Sequence, residues 1–220
     1  MRAKVRDDPR HPDPAFAELY AALPEADDLW PWLDWCRDAR PPVLYLGAGA
    51  GRLAVPLDRE GIELVAVDAH PGMLAHLRRR IRGIDTHEVL IEEMDLRRRF
   101  DLVIAPSSIL THDANLAAAA RHLRRGGRIG MELMNPLWLR KARHTGVRLK
   151  PGVMEVDYRL PDGSTVVQVV EGWRPGPSPH HARRRLHRFG LDLLWLGTRP
   201  GTTLANASTY FVLAGRTPTA

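Results

Sequence analysis

The sequence predicts a doubly wound α/β fold, with a seven-stranded, mostly parallel sheet covered by helices and a small antiparallel hairpin insertion. Three observations carry this expectation. Short apolar runs alternate with helical periodicity from about Pro42 to Leu133. Glycines crowd the turn after the first run, at Gly47, Gly49 and Gly51. After Pro136 the pattern changes to a period of two around Pro161-Asp162-Gly163. Apolar strands separated by helices belong to parallel sheets buried on both faces, whereas alternation around a turn belongs to a hairpin.

Residues 1–14 read as a loose arm, charged and rich in proline. Short helices are expected over 15–22 and 27–39, the second capped by Asp27 or Asp28, with Pro31 tolerable in its first turn. Val43–Leu46 is the first strand. A helix over 52–59 leads to a second strand at Leu64–Val67, ending at Asp68. Met73, Leu74, Leu77 and Ile81 space a helix over 71–82. Further strands are expected at 88–91, 102–105 and 128–133. An alanine-rich helix over 114–125 is closed by Gly126 and Gly127. The hairpin pairs 153–160 with 165–173. A helix over 180–189 and strands at 191–196 and 209–214 finish the chain.

With 220 residues, 44% of them hydrophobic and 26% charged, the chain suits a single globular domain. No run approaches the ~20 apolar residues of a membrane span, and the first residues lack the apolar centre of a secretory leader. A cytoplasmic location is the default expectation, with no membrane partner; a homodimer is left open. The lone Cys36 excludes an internal disulfide and a cysteine-based zinc site, and no metal site is expected. The net charge of +6 comes mostly from arginines clustered at 78–82, 97–99, 124–128 and 183–185. A basic face can attract nucleic acid. These clusters fall at helix ends and turns, where cations complement the dipole, and no aromatics interleave with them as base stacking would require. Nucleic acid is therefore a partner the sequence allows and does not favour.

Glycines between a strand and a helix let the backbone turn sharply and approach a ligand closely. The next strand ends at Asp68, and a carboxylate at that tip is placed to accept bonds from both ribose hydroxyls of an adenosine. The dinucleotide fingerprint G-x-G-x-x-G would need glycine where Arg52 stands, which weighs against a nicotinamide oxidoreductase. The G-x-G-x-G loop, VAVDAHPGML after strand two, FDLVIAPSSILTH around strand four and LRRGGRIGMEL into strand five together resemble the class I S-adenosylmethionine-dependent methyltransferases. The hairpin and closing region are similar to the small-molecule, glycine N-methyltransferase-like branch.

That resemblance implies an antiparallel last strand and one domain over 1–220. Its parts are an amino-terminal helical cap (1–40), a cofactor-binding core (41–135), a hairpin insertion (136–176) and a closing region (177–220). It implies S-adenosyl-L-methionine as cofactor, with Gly47, Ala48, Gly49 and Gly51 near its methionine part and Asp68 on its ribose. Ala69 and Met73 flank adenine, Glu93 and Met94 lie near its amino group, and Pro106 passes near the sulfonium. The sequence departs from the family at Tyr45, where an acid usually orients the methionine end; either another acid compensates, binding weakens, or the chemistry has been lost.

Methyl transfer mainly needs alignment of donor and acceptor and exclusion of water, with a base only for a protonated acceptor. His112 is a candidate base, or a cap on the following helix. Glu132 is a second catalytic candidate, able to hold an amine or to pair with an arginine. Tyr20, Ser108, Asn135 and Trp173 are candidate acceptor contacts. Cys36 is misplaced for cytosine-carbon chemistry, and Ala105-Pro106-Ser107-Ser108 differs from the Asn/Asp-Pro-Pro-aromatic motif of DNA amine methylation. The expected function is methylation of nitrogen or oxygen on a small-molecule acceptor. The competing readings are a nucleic-acid methyltransferase and a non-catalytic domain that keeps the fold.

Overall fold

The computed structural model describes residues 3–141 and 146–216. In chain order the strands are β1 (Ala3–Asp7), β2 (Val43–Leu46), β3 (Leu64–Asp68), β4 (Asp85–Glu88), β5 (Phe100–Ala105), β6 (Leu123–Met134), β7 (Val147–Lys150), β8 (Val153–Arg159), β9 (Thr165–Glu171), β10 (Leu191–Gly197) and β11 (Thr209–Arg216). The helices are α1 (Pro14–Ala22), α2 (Trp32–Arg37), α3 (Ala54–Arg59), α4 (Pro71–Arg80), α5 (Asp113–Arg121), α6 (Pro136–Lys141) and α7 (Ala182–His187).

Seven strands form one sheet in the order β10-β11-β6-β5-β2-β3-β4. The pairs from β6 to β4 are parallel, and β11 runs antiparallel to both its neighbours, as expected. Alternation along β2 shows how the sequence builds two cores. Leu44 and Leu46 join one cluster with Val67, Val103 and Met131, under α5 and α7. Val43 and Tyr45 point the other way, joining Ala66, Ile104 and residues of α2, α3 and α4. Period two in the strands puts a fully apolar face on each side, and the helices cover both.

Several elements differ from expectation. The loose arm is in fact a strand: β1 pairs parallel with β9, and β7 joins β8, so the hairpin becomes a four-stranded sheet in the order β1-β9-β8-β7. The charges of Lys4, Arg6 and Asp7 hid an alternation in which Val5 points inward. This small sheet rests on α1 and the glycine loop through Val5, Phe16, Ala50 and Met73. Helix α2 starts only at Trp32, because Pro31 lacks the amide and backbone freedom to sit deeper in a helix. The third parallel strand is the polar segment Asp85–Glu88, earlier than the apolar run at 88–91. As an edge strand paired on one side, it has no buried face to fill. The alanine-rich helix ends at Arg121. Gly126 and Gly127 instead form a bulge in β6, where the register jumps between Phe100↔Leu123 and Leu102↔Arg128. The helix over 180–189 shortens to α7 behind a 3-10 turn at Pro179–His181. Among the described residues, no helix is long and apolar enough to cross a membrane.

Candidate active site at the strand tips

Strand β2 delivers the chain into the glycine loop, which is fastened to β3. Gly47 and Ala48 both donate their N–H to the Val67 carbonyl, at 2.8 and 3.1 Å. Gly47 has φ +64°, and a Cβ there would fall 1.8 Å from Ile109 Cδ1. Both facts require glycine. Gly51 serves packing: at φ +95°, its Cβ would meet Leu77 of α4 at 2.9 Å.

Asp68 closes this corner. One carboxylate oxygen accepts from Gly49 N–H at 2.8 Å and the other from His70 N–H at 2.9 Å. Burial raises its pKa, and these backbone bonds oppose the rise. The cap of α4 is His70, whose Nδ1 accepts from Gly72 N–H at 3.1 Å, so Asp68 does not serve as that cap. An ionised carboxylate offers about four acceptor positions, and the two bonds leave capacity on each oxygen.

A cavity of about 140 Å³ opens at the carboxyl ends of β2, β5 and β6. Its wall includes Tyr20, Tyr45, Gly47, Gly49, Arg52, Pro106, Ser107, Glu132 and Arg199. Glu132 accepts one hydrogen bond, from Ser107 N–H at 3.1 Å. Arg52 donates through Nε to the Pro24 carbonyl at 2.8 Å, and Arg199 pairs with Asp28. Ser107 and Ser108 take left-handed conformations in succession, φ 58° and 62°. Such backbone is uncommon outside glycine and is held here by neighbours, Ser108 Oγ accepting Met134 N–H at 2.7 Å.

The structure brings Gly47, Ala48, Gly49, Pro106, Glu132 and Tyr20 together around this cavity. Asp68 lies behind the wall, joined to it through Gly49 N–H. Met73 and Met94 are both 2% exposed and pack in core clusters. Ala69 is half-buried. Glu93 is exposed and pairs with Arg10 of the amino-terminal arm. His112 is exposed at the start of α5, makes no side-chain cap bond, and is absent from the cavity wall. Asn135 is fully buried, and its amide is consumed by the fold. It donates to the Leu204 and Ala207 carbonyls and accepts from Leu137 N–H, and its full burial keeps it from an acceptor. Ser108 acts as a pin on β6, and Trp173 is half-buried outside the wall.

Sequence reasoning missed Arg52, Arg199 and Asp28 as wall residues. Arg52 was visible as the residue that breaks the dinucleotide fingerprint, and its position directly after Gly51 was the available signal. Asp7 was also missed. It lies on β1 within electrostatic reach of Asp68, accepts from Gln168 Nε2 at 2.7 Å, and burial pushes its pKa up to about 6. Cys36 is buried, with its thiol pushed up to about 12, and is inert as a nucleophile.

Residues 43–127 match a family described as a methyltransferase domain. A ubiquinone biosynthesis O-methyltransferase from Nitrobacter winogradskyi is 27% identical over 159 residues, which are 69% of this chain and 56% of that protein. The chain thus spans about half the length of the curated relatives it matches. A solved S-adenosylmethionine-dependent methyltransferase from Clostridium acetobutylicum superposes with a TM-score of 0.69 at 17% identity, covering 93% of this chain and 98% of that one. CalS10, an amino pentose methyltransferase from Micromonospora echinaspora solved with S-adenosylmethionine bound, gives 0.63 at 18%, covering 92% and 97%. Residues 43–127 therefore resemble a methyltransferase domain, and the chain as a whole shares the fold of these solved S-adenosylmethionine-dependent methyltransferases.

Proposed function

We propose that this chain is an enzyme that methylates a nitrogen or oxygen of a small molecule, using S-adenosylmethionine. The observation that carries the reading is the junction of Asp68 with the glycine loop. A half-buried carboxylate with unused lone pairs is held by backbone N–H groups beside a cavity walled by both acidic and basic side chains. Those residues fit the proposed cofactor: Asp68 suits ribose hydroxyls, and the mixed-charge wall suits a zwitterionic amino-acid end. When bound, S-adenosylmethionine supplies a methyl group already activated by its sulfonium.

The protein's own task is then to orient and to exclude water. Ile109 brings the β5 loop against Gly47 of the glycine loop, and Pro106 and Ser107 share the cavity wall with it. The small sheet covers the same corner through Tyr158, whose hydroxyl lies 3.4 Å from that of Tyr20. We assign the acceptor to this side, between Tyr20 and the β5 loop. The arginine clusters support a small acceptor over nucleic acid. Arg185 and Arg188 hold Asp113, Arg124 holds Asp101 and Arg128 holds Asp38. The activities of the similar proteins, O-methylation in ubiquinone biosynthesis and methylation of an amino pentose, fit the same acceptor class.

The test is calorimetry with S-adenosylhomocysteine. Asp68→Ala should weaken binding about tenfold or more, as expected for losing charge-assisted bonds to ribose. Unchanged affinity overturns the assignment.

A further inference from the structure

The cavity wall carries two charged groups that the fold leaves unneutralised. Glu132 keeps one oxygen clear of protein donors, its other bond coming from Ser107 N–H. Arg52 spends only Nε, on the Pro24 carbonyl. Neither forms an ion pair among the described residues, although 26 acids and 32 bases make such pairing easy to find. A partly buried charge without a counter-charge is costly unless a ligand supplies one.

Sheet register places Glu132 beside Tyr45. Tyr45 on β2 pairs with Ile104 on β5, and Ile104 pairs with Gly130 on β6. Gly130 and Glu132 therefore share a sheet face with Tyr45, with Glu132 nearer the carboxyl edge. Trp35 fills the space beneath, since a Cβ on Gly130 would lie 2.4 Å from its ring. The Tyr45 hydroxyl has no hydrogen-bonding partner among the described residues, and its ring lines the same cavity.

Resting on the proposed function, we infer that Glu132, aided by the Tyr45 hydroxyl, anchors the ammonium of the cofactor's amino-acid end, while Arg52 takes its carboxylate. The acid absent from position 45 is thereby supplied from two strands away. Glu132 becomes a cofactor-positioning residue, and the alternative role of proton acceptor for the substrate is set aside. The arrangement also selects for ligands with both an ammonium and a carboxylate, because either charge alone would leave its partner in the wall unmatched.

Two ligands separate this from general loss of the site. S-adenosylhomocysteine carries the amino-acid end, and 5′-methylthioadenosine has the same base, sugar and sulfur without it. Calorimetry on the full chain should show Glu132→Gln weakening the first about tenfold to a hundredfold and leaving the second unchanged. Gln retains an oxygen for Ser107 N–H, and unchanged methylthioadenosine binding certifies an intact site. Equal weakening of both ligands overturns the proposal. So does unchanged binding of both, including the case where turnover alone is lost, which would make Glu132 the base. If the parent protein binds neither ligand, the proposed function falls as well.

Discussion

Asp7→Asn should make the protein more stable at neutral pH and leave it nearly unchanged in acid. Asp7 sits on the inward face of β1, where burial is the main cause that lifts its carboxyl to about 6, with Asp68 and Asp8 adding repulsion. Gln168 opposes this through its hydrogen bond. A folded-state value above the unfolded one means that the unfolded chain loses its proton first. Stability then falls as pH rises from about 4 through about 6. Above both values, a rise of that size costs at most about 3 kcal/mol. Asparagine keeps an oxygen for Gln168 and has no proton to lose. Urea unfolding should therefore show a gain of up to about 3 kcal/mol at pH 8, shrinking below about 1 kcal/mol at pH 4, with an unchanged denaturant slope. No gain at pH 8, or the same gain at both pH values, refutes the reasoning.

Asn135→Ala leaves two carbonyls and an amide without their buried partner, at about 1–3 kcal/mol each before relaxation. The melting temperature should drop by about 6 °C or more for a chain of this size, with S-adenosylhomocysteine affinity retained; a drop below about 2 °C contradicts the structural role. In the small sheet, Lys4 first and then Arg148 hold the Glu155 carboxyl down to about 2. Its contribution is present above about pH 4 and lost as pH falls towards 2. Near-ultraviolet circular dichroism should show Glu155→Gln destabilised at pH 7 and less sensitive to acid over that window, whereas identical acid titrations would contradict the assignment.

The main sheet was legible because its signal is local and redundant. Each central strand is a short apolar run, and Gly47, Gly49 and Gly51 mark a turn whose conformations few residues tolerate. The small sheet was only half legible. Turn residues at Pro161-Asp162-Gly163 announced β8 and β9. Strand β1, however, pairs with a segment more than 150 residues away, and its charges masked a single inward valine. The site divided in the same way. The loop residues and Glu132 could be placed by counting from strand ends. Arg52, Arg199 and Asp28 reach the cavity through side-chain direction, which spacing does not encode. Asn135 misled for the opposite reason: its position at a strand end is where substrates approach, but its amide is spent on the 204–207 turn.

A crystal structure with S-adenosylhomocysteine tests the central claim most directly. The account predicts both ribose hydroxyls on the Asp68 carboxylate and the amino-acid end in the cavity between Tyr45, Glu132 and Arg52. A nucleoside bound elsewhere, or a junction of Asp68 and Gly49 that stays shut to it at saturating ligand, would contradict the account.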